Sequence, residues 1–468
     1  MPRPALVFPS FEFAIFFPIV LALSWALMPR PRLWKPFILA SSYVFYAAAS
    51  VRFCLLLFGV AMANQAGAQL VHRAPTERRR KQIAAATVAI DLGVLGLFKY
   101  YGFFSQQIAD FLDSFGLGMP LPLVSLALPV GLSFWTFQAI SYVVDVKRRI
   151  IEPAKTIDVA LYLSFFPHVV AGPIVRAREF LPQLQTPRDP RDVAVGPAVV
   201  LIAIGLVKKV AIADFLARQL VDPVFGVPQA YHAPDAWLAA YGYAAQIYCD
   251  FSGYTDIAIG VALLMGIVFP RNFNSPYRAT SFRDFWRRWH ITLSRFLRDF
   301  LYIPLGGNRH GKLQTARNLM ITMLLGGLWH GAAWGFVLWG GLHGVGLVVE
   351  RQLRGRFYTP AWLRWAIVFN LVVLGWILFR SESISLAGTF ISRLFSPGPA
   401  TLYTFPVVLA VVATIGLQLL PPKPLEALRV RAAQLSPATL GVALALVIAL
   451  VGATVPSQAV PPFIYFQF

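Results

Sequence analysis

Two histidines sit where an imidazole could do chemistry. His330 lies in Gly326-Gly327-Leu328-Trp329-His330-Gly331, inside a stretch from Asn318 to Val349 that carries no Asp, Glu, Lys or Arg. His290 precedes it by 40 residues, in a segment that is strongly basic. An imidazole, with an ordinary pKa of about 6.5, accepts and returns a proton near neutral pH. The reaction this suits is acyl transfer to an alcohol, in which a base takes the hydroxyl proton as the oxygen attacks. Packing competes with that reading, because a histidine can also hydrogen-bond across a helix bundle. A buried polar group without a partner costs about 1–3 kcal/mol, and ionisable residues inside membrane spans mark pathways or reaction sites.

The elements that must position these residues are helices in a bilayer. The chain is 57% hydrophobic, 14% aromatic and only 13% charged, against about 25% charged for a soluble domain. Uncharged runs recur at Phe13 to Met28, Phe53 to Val71, Ser114 to Val144, Asn318 to Val349, Leu394 to Pro422 and Ala432 to Phe468. Shorter or interrupted runs cover Pro36 to Val51, Gln82 to Phe98, Val193 to Val207, Ala236 to Pro270 and Trp365 to Phe379. At roughly 20 residues per span, they predict an all-α polytopic integral membrane protein of about 11 or 12 transmembrane helices, with re-entrant and amphipathic cytoplasmic helices added. The apolar run around His168, flanked by Pro167 and Pro173, has the look of a re-entrant segment, with packing as the default role for that histidine.

The net charge of +20 falls in short blocks between spans, including Arg78 to Lys81, Lys147 to Arg149 and Arg351 to Arg356. That is the pattern of the positive-inside rule, not of a nucleic-acid surface. It puts those blocks in the cytoplasm, with both termini outside by even count of spans. Pro29-Arg30-Pro31-Arg32 follows the first span where a cleavable signal would have small residues, so that span is expected to remain as an anchor. Cys54 and Cys249 are the only cysteines, and neither a disulfide framework nor a metal site is expected. The chain reads as one membrane domain over residues 1–468, with a basic cytoplasmic insertion at 270–317.

The insertion holds ten Lys and Arg against Asp284 and Asp299, a net +8. Phe282, Phe285, Trp286, Trp289, Leu293, Phe296 and Phe300 recur at helical spacing and predict one amphipathic helix over 282–303. Ser281 with Asp284 supplies a start and Pro304-Leu305-Gly306-Gly307 a stop. Arg287, Arg288, Arg295 and Arg298 fall opposite the aromatics, with His290 on the flank of the apolar stripe. Such a face meets anionic headgroups. It equally suits a phosphate-bearing donor at a cytoplasmic entrance.

Upstream, Gln246 to Ala258 inserts Asp250, Ser252, Tyr254, Thr255 and Asp256 into an apolar span, and Pro270-Arg271-Asn272-Phe273-Asn274-Ser275-Pro276-Tyr277-Arg278 follows. Together with Phe282 to Gly307 and Leu328-Trp329-His330-Gly331, these segments resemble the membrane-bound O-acyltransferase family. The likeness is to the bacterial branch that holds the membrane subunit of alginate O-acetylation and the D-alanyl transfer protein of teichoic acids. The opening Val7-Phe8-Pro9-Ser10-Phe11-Glu12-Phe13 and the closing Phe463-Ile464-Tyr465-Phe466-Gln467-Phe468 resemble the alginate side. The resemblance implies a ring of peripheral helices around a thinned centre, and makes the position of His330 the essential histidine and that of His290 the second one.

His330 and His290 are therefore the candidate catalytic residues: His330 as base, His290 to bind the donor, orient its carbonyl or stabilise an oxyanion. Asp250, Ser252, Tyr254, Asp256, Asn272, Asn274, Trp286, Arg287, Trp289, Arg298 and Trp329 are candidates for substrate binding or a tunnel wall. Asp250 and Asp256, six residues apart, do not share a helix face, which speaks against a paired-carboxylate device and for bonding within the core, with Ser252 or Tyr254 as partners. His343 reads as a packing residue.

The activity expected is transfer of an acetyl group from a cytoplasmic thioester to hydroxyls of an exported, alginate-like polysaccharide. Acetyl-CoA or another acyl thioester is the donor substrate, with no bound cofactor and no metal. The expected surroundings are the bacterial inner membrane, the polysaccharide machinery and an extracytoplasmic SGNH-type transferase, with no nucleic acid. Two other readings stand beside it: a proton-coupled transporter using the buried histidines and aspartates as a relay, and a non-catalytic subunit of a synthesis or export complex.

Overall fold

The computed structural model describes residues 8, 10–117, 126–353 and 359–454. The described residues form helices and no strand. The closing aromatic motif, Val7 and Pro9 of the opening one and the end of the Ala432–Phe468 run lie outside them. The chain divides into two compact units, Met1–Ala194 with Val261–Pro270, and Val195–Gly260 with Arg271–Phe468.

The first unit is built from α1 (Phe11–Leu27), α2 (Pro31–Ala47), α3 (Val51–Arg73), α4 (Glu77–Leu95), α5 (Tyr101–Asp113), α6 (Leu132–Lys147), α7 (Thr156–Ser164), α8 (Phe166–Val169) and α9 (Ala177–Phe180). A wide turn at Gly96–Tyr100 joins α4 to α5, so that Glu77–Asp113 is one rod of 37 residues. Ser10 and Thr76 cap α1 and α4, each accepting the backbone N–H of the third residue on. Two polar contacts tie these helices together. Lys35 meets Asp158 at 2.6 Å, and Asn64 donates to Asp91 at 2.7 Å. The Phe165–Pro173 run contains only the four-residue α8. On it His168 donates Nε2–H to the Tyr162 carbonyl at 2.8 Å, with its ring stacked on Phe269, as a packing residue would.

The second unit begins with α10 (Val195–Leu206), followed by a wide turn over Val207–Asp214 and the short α11 (Asp222–Gly226). The 32-residue α12 (Ala233–Leu264) comes next, its last turn grouped with the first unit. Then follow α13 (Phe282–Arg288), α14 (Ile291–Leu297), α15 (Gly311–His330), α16 (Trp334–Leu353), α17 (Ala361–Arg380), α18 (Ile384–Arg393), α19 (Phe405–Leu419), α20 (Pro422–Ala433) and α21 (Pro437–Thr454). Gly205 of α10 and Gly253 of α12 touch backbone to backbone. A Cβ on either would meet the other's carbonyl oxygen at 2.6–2.8 Å.

Among the described residues four helices are long and apolar enough to cross a membrane by length and composition: Val51–Arg73, Glu77–Asp113, Ala233–Leu264 and Ala361–Arg380. Three shorter apolar helices, Glu12–Leu27, Phe405–Leu419 and Ala438–Gly452, accompany them. Other runs expected as spans form shorter or more polar helices. The uncharged stretch from Asn318 to Val349 is a hairpin: α15 ends at His330, Gly331 is extended, and α16 returns alongside.

The single amphipathic helix expected over 282–303 does not form. Ser281 caps it as anticipated, its Oγ accepting the Asp284 N–H at 3.0 Å, and Gly306 and Gly307 end the segment with positive φ. Between them the helix breaks at His290, whose φ of 41° and ψ of 56° are left-handed. For a residue with a Cβ that conformation costs on the order of 1–3 kcal/mol and persists only where neighbours impose it.

Candidate functional site

The neighbours that impose the break come from the strap after α12. The Asn274 N–H donates to the Arg288 carbonyl, and the Ile291 N–H to the Asn272 carbonyl, both at 2.9 Å. These two bonds clamp the chain on either side of His290. Side chains complete the join: Asn272 Oδ1 receives the Thr292 N–H at 3.2 Å and the Thr292 hydroxyl at 2.9 Å, and lies 3.2 Å from His290 Nδ1. Asn272 is 1% exposed and His290 fully buried.

His330 arrives from another direction, as the last residue of α15. The hairpin can turn there because Gly331 has no side chain; a Cβ would run into the Phe336 ring. This brings the His330 ring to 6.5 Å from that of His290, centre to centre. An aromatic shell encloses both. Phe251 of α12 meets His290 edge-on at 4.7 Å, Trp329 and Trp339 each lie 5.0 Å from His330, and Phe379 of α17 lies at 5.4 Å. His290 sits on a link between seven-residue helices, outside any span, and burial pushes its pKa down to about 3, so the ring is neutral.

Of the residues singled out in the sequence, Asn272 and Trp329 join the two histidines. Trp286 lies nearby, 5.7 Å from Trp339, and Trp289 stacks on Phe285 and lies 4.8 Å from Trp376 in the layer behind. Ser252 and Tyr254 are buried on α12. Asn274 is exposed and contributes its backbone. Arg287 is exposed, while Arg298 is bound to Asp299 at 2.6 Å with its side chain 58% exposed.

Asp250 and Asp256 correct an expectation. Their partners are lysines of the wide turn after α10: Lys209 bridges Asp250 at 2.6 Å and Asp214 at 2.7 Å, and Lys208 binds Asp256 at 2.7 Å. The angular offset of the two aspartates sends them to different lysines. Among the described residues no group of three or more His, Cys, Asp or Glu could hold a metal ion.

The sequence reading passed over Trp339, Phe251 and Phe379 of this shell and named His343 only as a packing residue. Trp339 and His343, four apart on one face of α16, continue the line from His330, with His343 4.9 Å from Trp339 and enclosed by Phe282, Phe285 and Trp286. Their spacing was a signal for it. Phe251 and Phe379 carried no such mark in an apolar span.

Residues 123–389 match the model of the membrane-bound O-acyltransferase family, MBOAT. The chain is 43% identical over 391 residues to the Pseudomonas aeruginosa protein named probable alginate O-acetylase AlgI, covering 82% of this chain and 74% of that one. It is 39% identical over 394 residues to the peptidoglycan O-acetyltransferase of Helicobacter pylori, with 76% and 72% covered. The teichoic acid D-alanyltransferase of Streptococcus thermophilus is 29% identical over 315 residues, with 62% and 74% covered. All three are named for placing an acyl group on a cell-envelope or exported polymer. The chain, an all-helical membrane protein, belongs to the membrane-bound O-acyltransferase family and is an O-acyltransferase.

Proposed function

We propose that the protein acetylates hydroxyls of an exported, alginate-like polysaccharide at the bacterial inner membrane, which it crosses several times. The donor is acetyl-CoA or another cytoplasmic acyl thioester. Transfer is direct or passes through a serine of an extracytoplasmic SGNH-type transferase. The observation that carries this reading is the pair of buried imidazoles 6.5 Å apart in one aromatic shell, and the identity to relatives named as O-acetylases supports the acetyl group.

In the reaction the acceptor oxygen attacks the thioester carbonyl carbon. A C–O bond forms, the C–S bond breaks, the hydroxyl proton passes to His330, and the thiolate leaves and takes up a proton. Rings this close can address two parts of one reacting acyl group. Exclusion of water strengthens every polar interaction made there, and the neutral state of His290 leaves it a ring with one donor and one acceptor nitrogen.

The proposal is tested by sidedness. Inverted inner-membrane vesicles from cells making the polymer expose the cytoplasmic face. Acetyl-CoA added outside should yield acetyl esters on lumenal polymer. Esters that form only when acetyl-CoA is inside the lumen would contradict it.

A further inference from the structure

We infer that Asn272 is a positioning residue that fixes His290 as the Nδ1–H tautomer and thereby makes Nε2 of that ring a hydrogen-bond acceptor in the acyl-transfer centre. This rests on the preceding reading that His290 belongs to the centre.

The argument is one of donors and acceptors. The Thr292 backbone N–H can only donate, and it points to the Asn272 side-chain atom at 3.2 Å, so that atom is the carbonyl oxygen and not the amide nitrogen. A carbonyl oxygen can only accept. His290 Nδ1, 3.2 Å from the same oxygen, must therefore carry the hydrogen. The Thr292 hydroxyl at 2.9 Å adds a third donor to that oxygen. A neutral ring with its proton on Nδ1 has its lone pair on Nε2.

The backbone and one neighbouring ring hold the imidazole in place. The left-handed backbone at His290 is clamped by the strap bonds of Asn272 and Asn274, and the edge-on Phe251 packs against one face. The titratable groups on surrounding elements are His330 on α15 and, beside Phe251 on α12, Asp250, held by Lys209. On the strap Arg271 pairs with Glu426, and on α13 Arg288 pairs with Asp284. The consequence revises an option read from the sequence. His290 Nε2 does not donate to the thioester carbonyl or an oxyanion; it accepts a hydrogen bond from a substrate O–H or N–H.

The test uses the full chain in inverted vesicles, with acetyl-CoA as the probe and kcat and KM measured across pH. In Asn272→Asp the acceptor is retained, but a carboxylate beside the ring favours imidazolium. The acid limb of kcat should move upward by about one to three pH units. Asn272→Leu removes the acceptor, and kcat should fall about 100-fold, the cost of misplacing a reacting group, with little change in KM. An unshifted acid limb in an active Asn272→Asp, or wild-type kcat in Asn272→Leu, would overturn the lock. His290→Ala separates the two levels. Full activity in that variant would remove His290 from the centre. An inactive His290→Ala beside an unshifted Asn272→Asp would sink the lock alone.

Discussion

Lys209 and His330 are each only 3% exposed in the same unit, yet their surroundings have nothing in common. Lys209 is gripped by two carboxylates at 2.6–2.7 Å, with Lys208 and Asp256 paired beside it. His330 is ringed by Trp329, Trp339 and Phe379, with a second imidazole at 6.5 Å. Buried charges held by opposite charges cannot move without large cost, so the lysine cluster joins the turn after α10 to α12 as a structural clasp. The two imidazoles sit instead among aromatic rings. A neutral imidazole keeps one acceptor nitrogen, which is what a group taking up a proton from a hydroxyl requires.

The comparison breaks first if the clasp proves dispensable. Lys209→Met leaves Asp214 and Asp250 buried without their cation and should destabilise the protein by about 3–5 kcal/mol. Thermal unfolding in detergent reads this directly, and adding Asp214→Asn and Asp250→Asn should recover most of the loss. Acyl transfer by Lys209→Met should fall only as the folded fraction falls. A stable Lys209→Met protein with no activity would move the lysine from the clasp into the chemistry.

The smallest effect is expected on the outer arginine face. Arg298, exposed and bound to Asp299, should tolerate Arg298→Gln with stability unchanged within about 0.5 kcal/mol and an unaltered KM for acetyl-CoA. A raised KM at normal expression would make that face part of donor binding and sharpen the division between the two regions.

The helical membrane class was legible because uncharged runs leave few alternatives, and the limits of the amphipathic segment because Ser281 and Gly306-Gly307 are local signals. The break at His290 was not. Phe285, Trp289 and Leu293 keep helical spacing straight through it, and neither Gly nor Pro marks it. What imposes it is Asn272, 18 residues away, through contacts no periodicity encodes. The lysine partners of Asp250 and Asp256 escaped for a similar reason. They lie 41 and 48 residues upstream, just past the end of an apolar run that drew attention only for its length. The two histidines stood out by their setting, yet their approach depends on a hairpin turn at Gly331 and a strap from α12.

The central claim is that the paired imidazoles, and His330 as the base, carry acyl transfer. It is tested most directly by polymer acetylation in vesicles holding His330→Ala at wild-type expression, with folding checked by detergent-solubilised size-exclusion. The account predicts a folded, inserted protein whose acetyl-ester formation falls by about 10²- to 10⁴-fold, the contribution of a general base. Wild-type acetylation by that variant would contradict it.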